Sequence, residues 1–393
     1  MNHRIHKLQG LLQKNDVDGV LYATSGNLQY FLNDASFWWQ RTPETGGPSI
    51  DIDELDSGGD AGHFLNRPDC ILYVPASDEP VLIMTYQRAK DMQHIPIQQE
   101  TCFYDRIPDV LGGYVRGKRI ACGESCNSYL KQVVARVCPD AEILDGEHYG
   151  EQLRKIKDED EIATLRKAAA FTDEAMAAIV PAIRPGATPR DIENLLVQYA
   201  LDRGLSDLAF SPACICVRSG APGSEEIFGH PHDQPIVEGT AVTFDFGYVV
   251  DGYCSDFGRA FYCGRPEPVI ADAYKALQEA HCHLLETVKP GMKMDLAFRI
   301  LTASLEKHNF GKYLRDYWDT GIMGHQIGID VHERPWLHNR AEEVFEAGMV
   351  MCIEPKIWYP GKAYLRVEDM VLLTGNGCES LTKFDRELFE LPV

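Results

Sequence analysis

Apolar residues recur with two different periods along this chain, and the change from one to the other divides it. They fall at helical spacing from Arg4 to Asn15. A β-rich run from Gly19 to Tyr22 follows, then the turn-like Thr24-Ser25-Gly26-Asn27 and the apolar Leu28 to Leu32. Strand patterns recur at Cys70 to Val74, Val81 to Thr85 and Arg119 to Cys122, with helical ones at Gln87 to Met92 and Ser128 to Val137. That alternation predicts an α/β domain over residues 1–150. From Gly150 charged helices take over, the first predicted from Glu151 to Ile179. The next is opened by Thr188-Pro189-Arg190-Asp191, which supplies an N-cap, a proline at the first helical position and an acid three after the cap. Further helices are predicted from Val269 to Val288 and Met294 to His308, and the last third is rich in strand patterns. The boundary falls between 145 and 155, leaving residues 151–393 as a second domain.

Two interruptions of the pattern stand out. Between Asn33 and Asp69 lies a Gly- and Asp-rich stretch carrying Trp38 and Trp39. Its composition predicts a surface loop anchored by the two tryptophans, or alternatively a lid contributing to a substrate site. The other is Asp251-Gly252 between two β-rich runs, a two-residue hairpin signal. Such a turn pairs Val250 with Tyr253 and sets Gly247 opposite Asp256 and Asp245 opposite Gly258. Asp245 and Asp256 then share a face, each across from a residue without a side chain. Carboxylates that close repel, and one takes up a proton unless something positive lies between them. A metal is the economical answer; a solvated hairpin face with two unrelated aspartates is the plain one.

Composition narrows the class. The chain has 393 residues, 45% of them hydrophobic, enough for two substantial cores. Its start has no apolar run followed by a small-residue cleavage site, and no stretch approaches the length needed to span a bilayer. Twelve cysteines without an export signal are expected to be reduced thiols of a cytoplasmic protein, with Cys214-x-Cys216 and Cys122-x3-Cys126 as packing residues. A formal charge of −21 argues against nucleic acid and anionic membrane as partners.

Three further segments carry metal-ligand chemistry. GHQIGIDVHERP supplies His325 and His332, VMCIEPKIW supplies Glu354, and YLRVEDMV supplies Glu368. If the turn candidate Pro360-Gly361 keeps the last two runs paired, Glu354 and Glu368 lie on adjacent strands. Arg366 then shares a face with Glu368 while Asp369 points the other way. Asp245, Asp256, Glu354 and Glu368 together carry −4, which two divalent ions neutralise. Oxygen ligands with one imidazole suit Mn, Co, Fe or Zn rather than a thiolate zinc site. Two ions sharing carboxylates would also hold a bridging water and lower its pKa.

FDFG with SDFGR eleven residues on, MGHQIG with VHERP seven on, IEP, and RVED fourteen after it together resemble the pita-bread metallohydrolases, in their Xaa-Pro peptidase (prolidase) and creatinase branch. The resemblance covers nearly the whole chain, with GVLYATSGNLQYFL and LRKIKDEDEIATLRKAA in the places of the N-terminal strand-turn motif and the linking helix. It implies a creatinase-like α/β N-terminal domain and an α+β pita-bread catalytic domain. It further implies that Asp245 holds one metal, that Asp256 and Glu368 bridge both, and that His325 and Glu354 serve the other. Glu354 would relay the proton, His332 would contact the substrate carbonyl, and Arg366 would support the site from behind Glu368. A family histidine ahead of the first aspartate matches His230, or failing that His232, in a loop shorter than the family's. His281 and His283, on a charged helix, are expected to face solvent. The resemblance also implies a homodimer and, as substrate, a small peptide or small amide.

One departure bears on substrate: the family's usual EPG is Glu354-Pro355-Lys356 here, a cation in place of glycine. The leading expectation is an Xaa-Pro dipeptidase or aminopeptidase with two divalent ions, manganese foremost. The runner-up is a small-molecule amidohydrolase of the creatinase or ectoine hydrolase kind. A lyase or a non-catalytic binding protein on the same fold ranks below both.

Overall fold

The structure, a computed structural model, describes residues 2–40, 68–315, 321–387, 389–391 and 393. The chain divides into two compact units, Met1–Arg154 and Lys155–Val393.

In the first unit the described residues form a six-stranded sheet. Strands β1 (Gly19–Ala23), β2 (Cys70–Pro75), β3 (Val81–Thr85), β4 (Gln98–Cys102), β5 (Arg119–Cys122) and β6 (Glu142–Asp145) lie in the order β4-β3-β2-β1-β5-β6. Pairing is parallel between β1 and β5, β5 and β6, and β3 and β4, and antiparallel where β2 joins β1 and β3. The turn-like Thr24-Ser25-Gly26-Asn27 opens a helix instead. Ser25 is the N-cap of Gly26–Leu32 and its hydroxyl accepts from the Leu28 N–H, so a serine read as a turn former ends a strand by starting a helix. Trp38 is buried and the Trp39 backbone N–H donates to Gln29 Oε1 at 2.9 Å. Residues 41–67, on which the loop and lid expectations fall, lie outside the described residues.

The predicted helix from Glu151 to Ile179 is two helices. One ends at Arg154, and the other, helix α1 of the second unit, begins at Glu159 and runs to Ile179. Asp158 and Glu161 form a reciprocal capping box that starts the new helix, which the charged periodicity concealed. Helix α2 (Pro189–Leu201) opens with the capping box of Thr188 and Asp191. Helices α3 (Pro268–Thr287) and α4 (Met294–Lys307) follow.

An 11-stranded sheet among the described residues organises this unit. Its main path is β12 (Glu333–His338), β11 (Ile322–Gln326), β13 (Val350–Ile353), β15 (Ala363–Leu373), β10 (Phe257–Cys263), β8 (Thr240–Val250) and β7 (Leu208–Arg218). Short β9 (Tyr253–Cys254) pairs with β8, and β14 (Lys356–Tyr359) with β15. Side chains of α1 and α2 form one core with β7, β8 and β10, and those of α3 and α4 form another with β11, β13 and β15.

Candidate metal centre

Asp251 and Gly252 both have positive φ, 49° and 79°, as a type I′ hairpin turn requires. Val250 pairs with Tyr253 and Asp245 with Gly258, the register expected from the turn. Between these ladders Ser255 and Asp256 leave the strand. A Cβ on Gly247 would lie 1.9 Å from the Ser255 carbonyl oxygen, so only glycine allows this close approach. On the other side, Gly258 pairs with Glu368, Ile353 with Asp369, Lys356 with Arg366, and His325 with Cys352. Strand alternation then puts Asp245, Lys356, Arg366, Glu368, Cys352 and His325 on one face, with Asp256 and Glu354 projecting from the breaks beside it.

Burial on that face is nearly complete. Glu368 and Cys352 are 0% exposed, His325 1%, Asp256 2% and Glu354 6%, while the Asp245 side chain keeps 28% of its surface open. His325 Nε2 lies 3.3 Å from Asp256 Oδ2 and 3.8 Å from Glu354 Oε1. Its Nδ1 is 3.1 Å from the Gln326 carbonyl, which can only accept, so Nδ1 carries the proton and Nε2 faces the carboxylates. Donor atoms of Asp256, His325, Cys352 and Glu368 all lie within 4.8 Å of one another. Four atoms of three of these residues are buried without a hydrogen-bond partner: Asp256 Oδ1, His325 Nε2 and both carboxylate oxygens of Glu368. Buried polar atoms are seldom left so, and the donor set of carboxylates with one imidazole fits a divalent cation.

The remaining carboxylates are differently placed. Arg366 reaches across the face: Nη1 donates to Asp245 Oδ2, and Nη2 lies 2.5 Å from Glu354 Oε2 and 2.8 Å from Glu368 Oε2. The room expected between the aspartates is filled by this side chain, because a Cβ on Gly258 would meet Arg366 Cδ at 2.5 Å and Glu368 Oε2 at 2.8 Å. Lys356 Nζ lies 2.5 Å from Glu354 Oε2. Counting only the acids therefore overstated the bare negative charge, since two cations of the chain already sit among them.

These neighbours set the protonation of each group. Burial would raise Glu354, but Lys356, Arg366 and His325 outweigh it and hold its carboxyl below the usual range. Burial pushes Asp256 up in spite of His325, with the Asp245 charge adding to the rise. Glu368 is pushed well up by burial and by the charges of Asp256, Glu354 and Asp245, although Arg366 opposes this. His325 would be lowered by burial, but Asp256 and Glu354 raise it. His332 keeps part of its surface open but packs its ring 4.5 Å from that of His325 and stacks it on Trp336 at 5.3 Å. Partial burial between those rings, with His325 beside it, brings its pKa down to about 4.

The remaining histidines have these partners. His230 Nε2 lies 3.1 Å from the Gln234 carbonyl and lines an open cleft of about 540 Å³ with Arg218, Ser224 and Pro231. His232 Nδ1 lies 3.2 Å from Glu193 Oε2. His283 is exposed as expected, but His281 is not: it is 0% exposed, with Nε2 3.0 Å from Asp369 Oδ2. The missed signal is its spacing. Ile270, Tyr274, Leu277, His281 and Leu284 follow the three-and-four rhythm of the buried stripe of α3. Cys352 and Trp336 were also missed. Cys352 stands two residues before Glu354 in a strand pattern, which is enough to place it on the same face.

A family model described as metallopeptidase family M24 matches residues 163–375. An uncharacterized peptidase of Staphylococcus aureus is 31% identical over 235 residues, 60% of this chain and 64% of the relative. The chain thus spans somewhat less than two thirds of the length of that curated relative. A prolidase from Pyrococcus horikoshii OT3 superposes with a TM-score of 0.79 at 23% identity, covering 99% of this chain and 100% of that one. An Xaa-Pro dipeptidase from Bacillus anthracis does so at 0.79 and 24%, covering 99% of each. At such identities the likeness establishes the fold, an N-terminal α/β unit followed by an α+β pita-bread unit.

Proposed function

Because the chain belongs to metallopeptidase family M24, we propose that it is a metal-dependent hydrolase of an amide bond, with an Xaa-Pro dipeptide or the N-terminal Xaa-Pro bond of a short peptide as substrate. The observation that carries this reading is the convergence of orphaned, buried donor atoms on Asp256, His325 and Glu368. In it Asp245, Asp256, His325, Glu354 and Glu368 hold two divalent ions, and the preponderance of hard oxygen donors favours manganese, with cobalt, zinc or iron as alternatives. Bound ions supply the Lewis acidity that polarises the scissile carbonyl and readies a water as nucleophile at neutral pH.

The chain's own groups do the rest. Glu354, held ionised by Lys356 and Arg366, accepts the proton of the attacking water and returns it to the leaving nitrogen. His332, neutral at physiological pH, donates a ring N–H to the carbonyl oxygen as charge builds there. Arg366 spans Asp245, Glu354 and Glu368 and fixes their spacing. His230 enters as a substrate-side group by family resemblance. We take the protein to be a cytoplasmic homodimer; its twelve unpaired cysteines support a reducing compartment, and dimerisation follows the family.

Lys356, a buried ammonium where the family has glycine, favours a second reading in which the substrate is a small anionic amide. Stripping the protein with chelator, reloading it with each metal and assaying Gly-Pro and Ala-Pro against longer Xaa-Pro peptides and small amides separates the two. Metal binding without proline-peptide cleavage moves the assignment to the small-molecule hydrolase. Failure to bind metal at micromolar supply leaves a non-catalytic binding protein.

A further inference from the structure

Cys352 is the one sulfur among the donor atoms that converge on this face among the described residues. In β13 it stands opposite His325 on β11 and Met370 on β15, two residues before Glu354. Four other thiols of the chain donate to backbone carbonyls, Cys126 to Leu21, Cys138 to Val115, Cys254 to Ile329 and Cys378 to Leu285, while Cys102 and Cys263 make no such bond among the described residues and lie within apolar cores. Cys352 makes no such bond among the described residues, and it is buried against Asp256, His325 and Glu368 rather than within an apolar core. The same three residues carry the four orphaned atoms. One thiol and three unsatisfied neighbours therefore point at a common volume.

We propose that Cys352 is a ligand of one metal ion, closing a four-donor set with Asp256, His325 and Glu368, and that its sulfur turns that position toward zinc, cobalt(II) or iron(II) and away from manganese. This rests on the metal-centre reading above and goes beyond its five ligands. Donors at tetrahedral zinc bond lengths sit roughly 3.3 to 3.6 Å apart, so gathering atoms now within 4.8 Å around one ion needs a contraction of little more than about an ångström. On binding, the S–H bond is broken heterolytically: the sulfur keeps the electron pair and gives it to the ion, and the proton leaves to solvent. No redox change is involved. A soft thiolate beside an imidazole selects the later, softer metals, whereas the oxygen-rich remainder of the site does not.

Cobalt(II) loading of the chelator-stripped full chain tests this. The wild type should show a near-ultraviolet sulfur-to-cobalt charge-transfer band, and Cys352→Ser and Cys352→Thr should lose it while still binding cobalt. Under an equimolar zinc and manganese mixture, dialysed and analysed by elemental mass spectrometry, the retained zinc-to-manganese ratio should fall at least about tenfold in Cys352→Ser. Should both variants fail to fold, zinc X-ray absorption of the wild type decides, through presence or absence of a sulfur shell at about 2.3 Å. Cobalt bound without the band, or an unchanged metal ratio in the serine variant, overturns the ligand role and leaves the hydrolase reading intact. Absence of any bound cobalt or zinc overturns both.

Discussion

Glu368 and Asp369 are consecutive residues of β15, both 0% exposed, and they face opposite sides of the sheet. Asp369 is saturated. Arg259 Nη2 and Arg386 Nε each reach it at 2.6 Å, Thr382 Oγ1 donates at 2.7 Å and His281 Nε2 lies at 3.0 Å. Burial alone would raise its pKa, but Arg259, Arg386 and His281 hold the carboxyl well below the usual range. Glu368 has a guanidinium near one oxygen and no hydrogen bond to either. Burial is thus common to both and distinguishes nothing; the tally of donors does. A buried acid whose lone pairs are all met is part of the architecture, and one whose lone pairs are left over points to a missing positive partner.

Experiments that remove one acid from each face break this comparison most severely. On the open face, Asp256→Asn should lower kcat on the order of a thousandfold or more, with loss of bound metal and near-unchanged folding stability. On the closed face, Asp369→Asn should do the reverse. It strands Arg259 and Arg386 and should lower the unfolding free energy by about 3–5 kcal/mol in urea titration. If Asp369→Asn leaves stability unchanged, or Asp256→Asn costs as much stability as Asp369→Asn, the distinction between the faces is wrong.

Acid sharpens the contrast. Burial, against the pull of Asp369, lowers His281 from 6.5 to about 4. The folded state thus resists a proton that the unfolded chain accepts, so stability is lost as pH falls from about 6.5 to about 4, by roughly 3 kcal/mol. Asp369 adds to this: its lowered pKa contributes stability present above the unfolded value and lost as pH falls through the folded one. Denaturant melts at pH 7, 5.5 and 4 should show the decline, and His281→Gln should flatten its upper part. Smaller still are the histidine effects on turnover. His332→Ala should reduce kcat by about 10- to 100-fold with metal retained, while His230→Ala, which removes a substrate-side group, should lower kcat/KM by about three- to tenfold, mainly through KM.

Some of this was readable from the residues. A two-residue turn with positive φ at both positions admits one register, so the Asp245–Gly258 pairing follows from Asp251-Gly252 alone. The Glu354 strand was not fixed in that way. Its loop holds Pro360, Gly361 and Lys362, with Tyr359 paired to Ala363, and a loop of unstated length leaves the register open. His281 was misplaced because the charged residues around it hid its place in an apolar stripe. The filling of the site by Arg366 could not be read at all. Strand alternation gives the face of an arginine, whereas the direction its long side chain takes along that face depends on where space has been left, and here the space is at Gly258.

That vacancy at position 258 has a further consequence for anyone altering this protein. A single methyl group there would collide with the guanidinium stem and with a carboxylate oxygen together, so alanine, the mildest of replacements, would unlace three acids at one stroke. The smallest residue near the centre is the one on which its widest-reaching side chain depends.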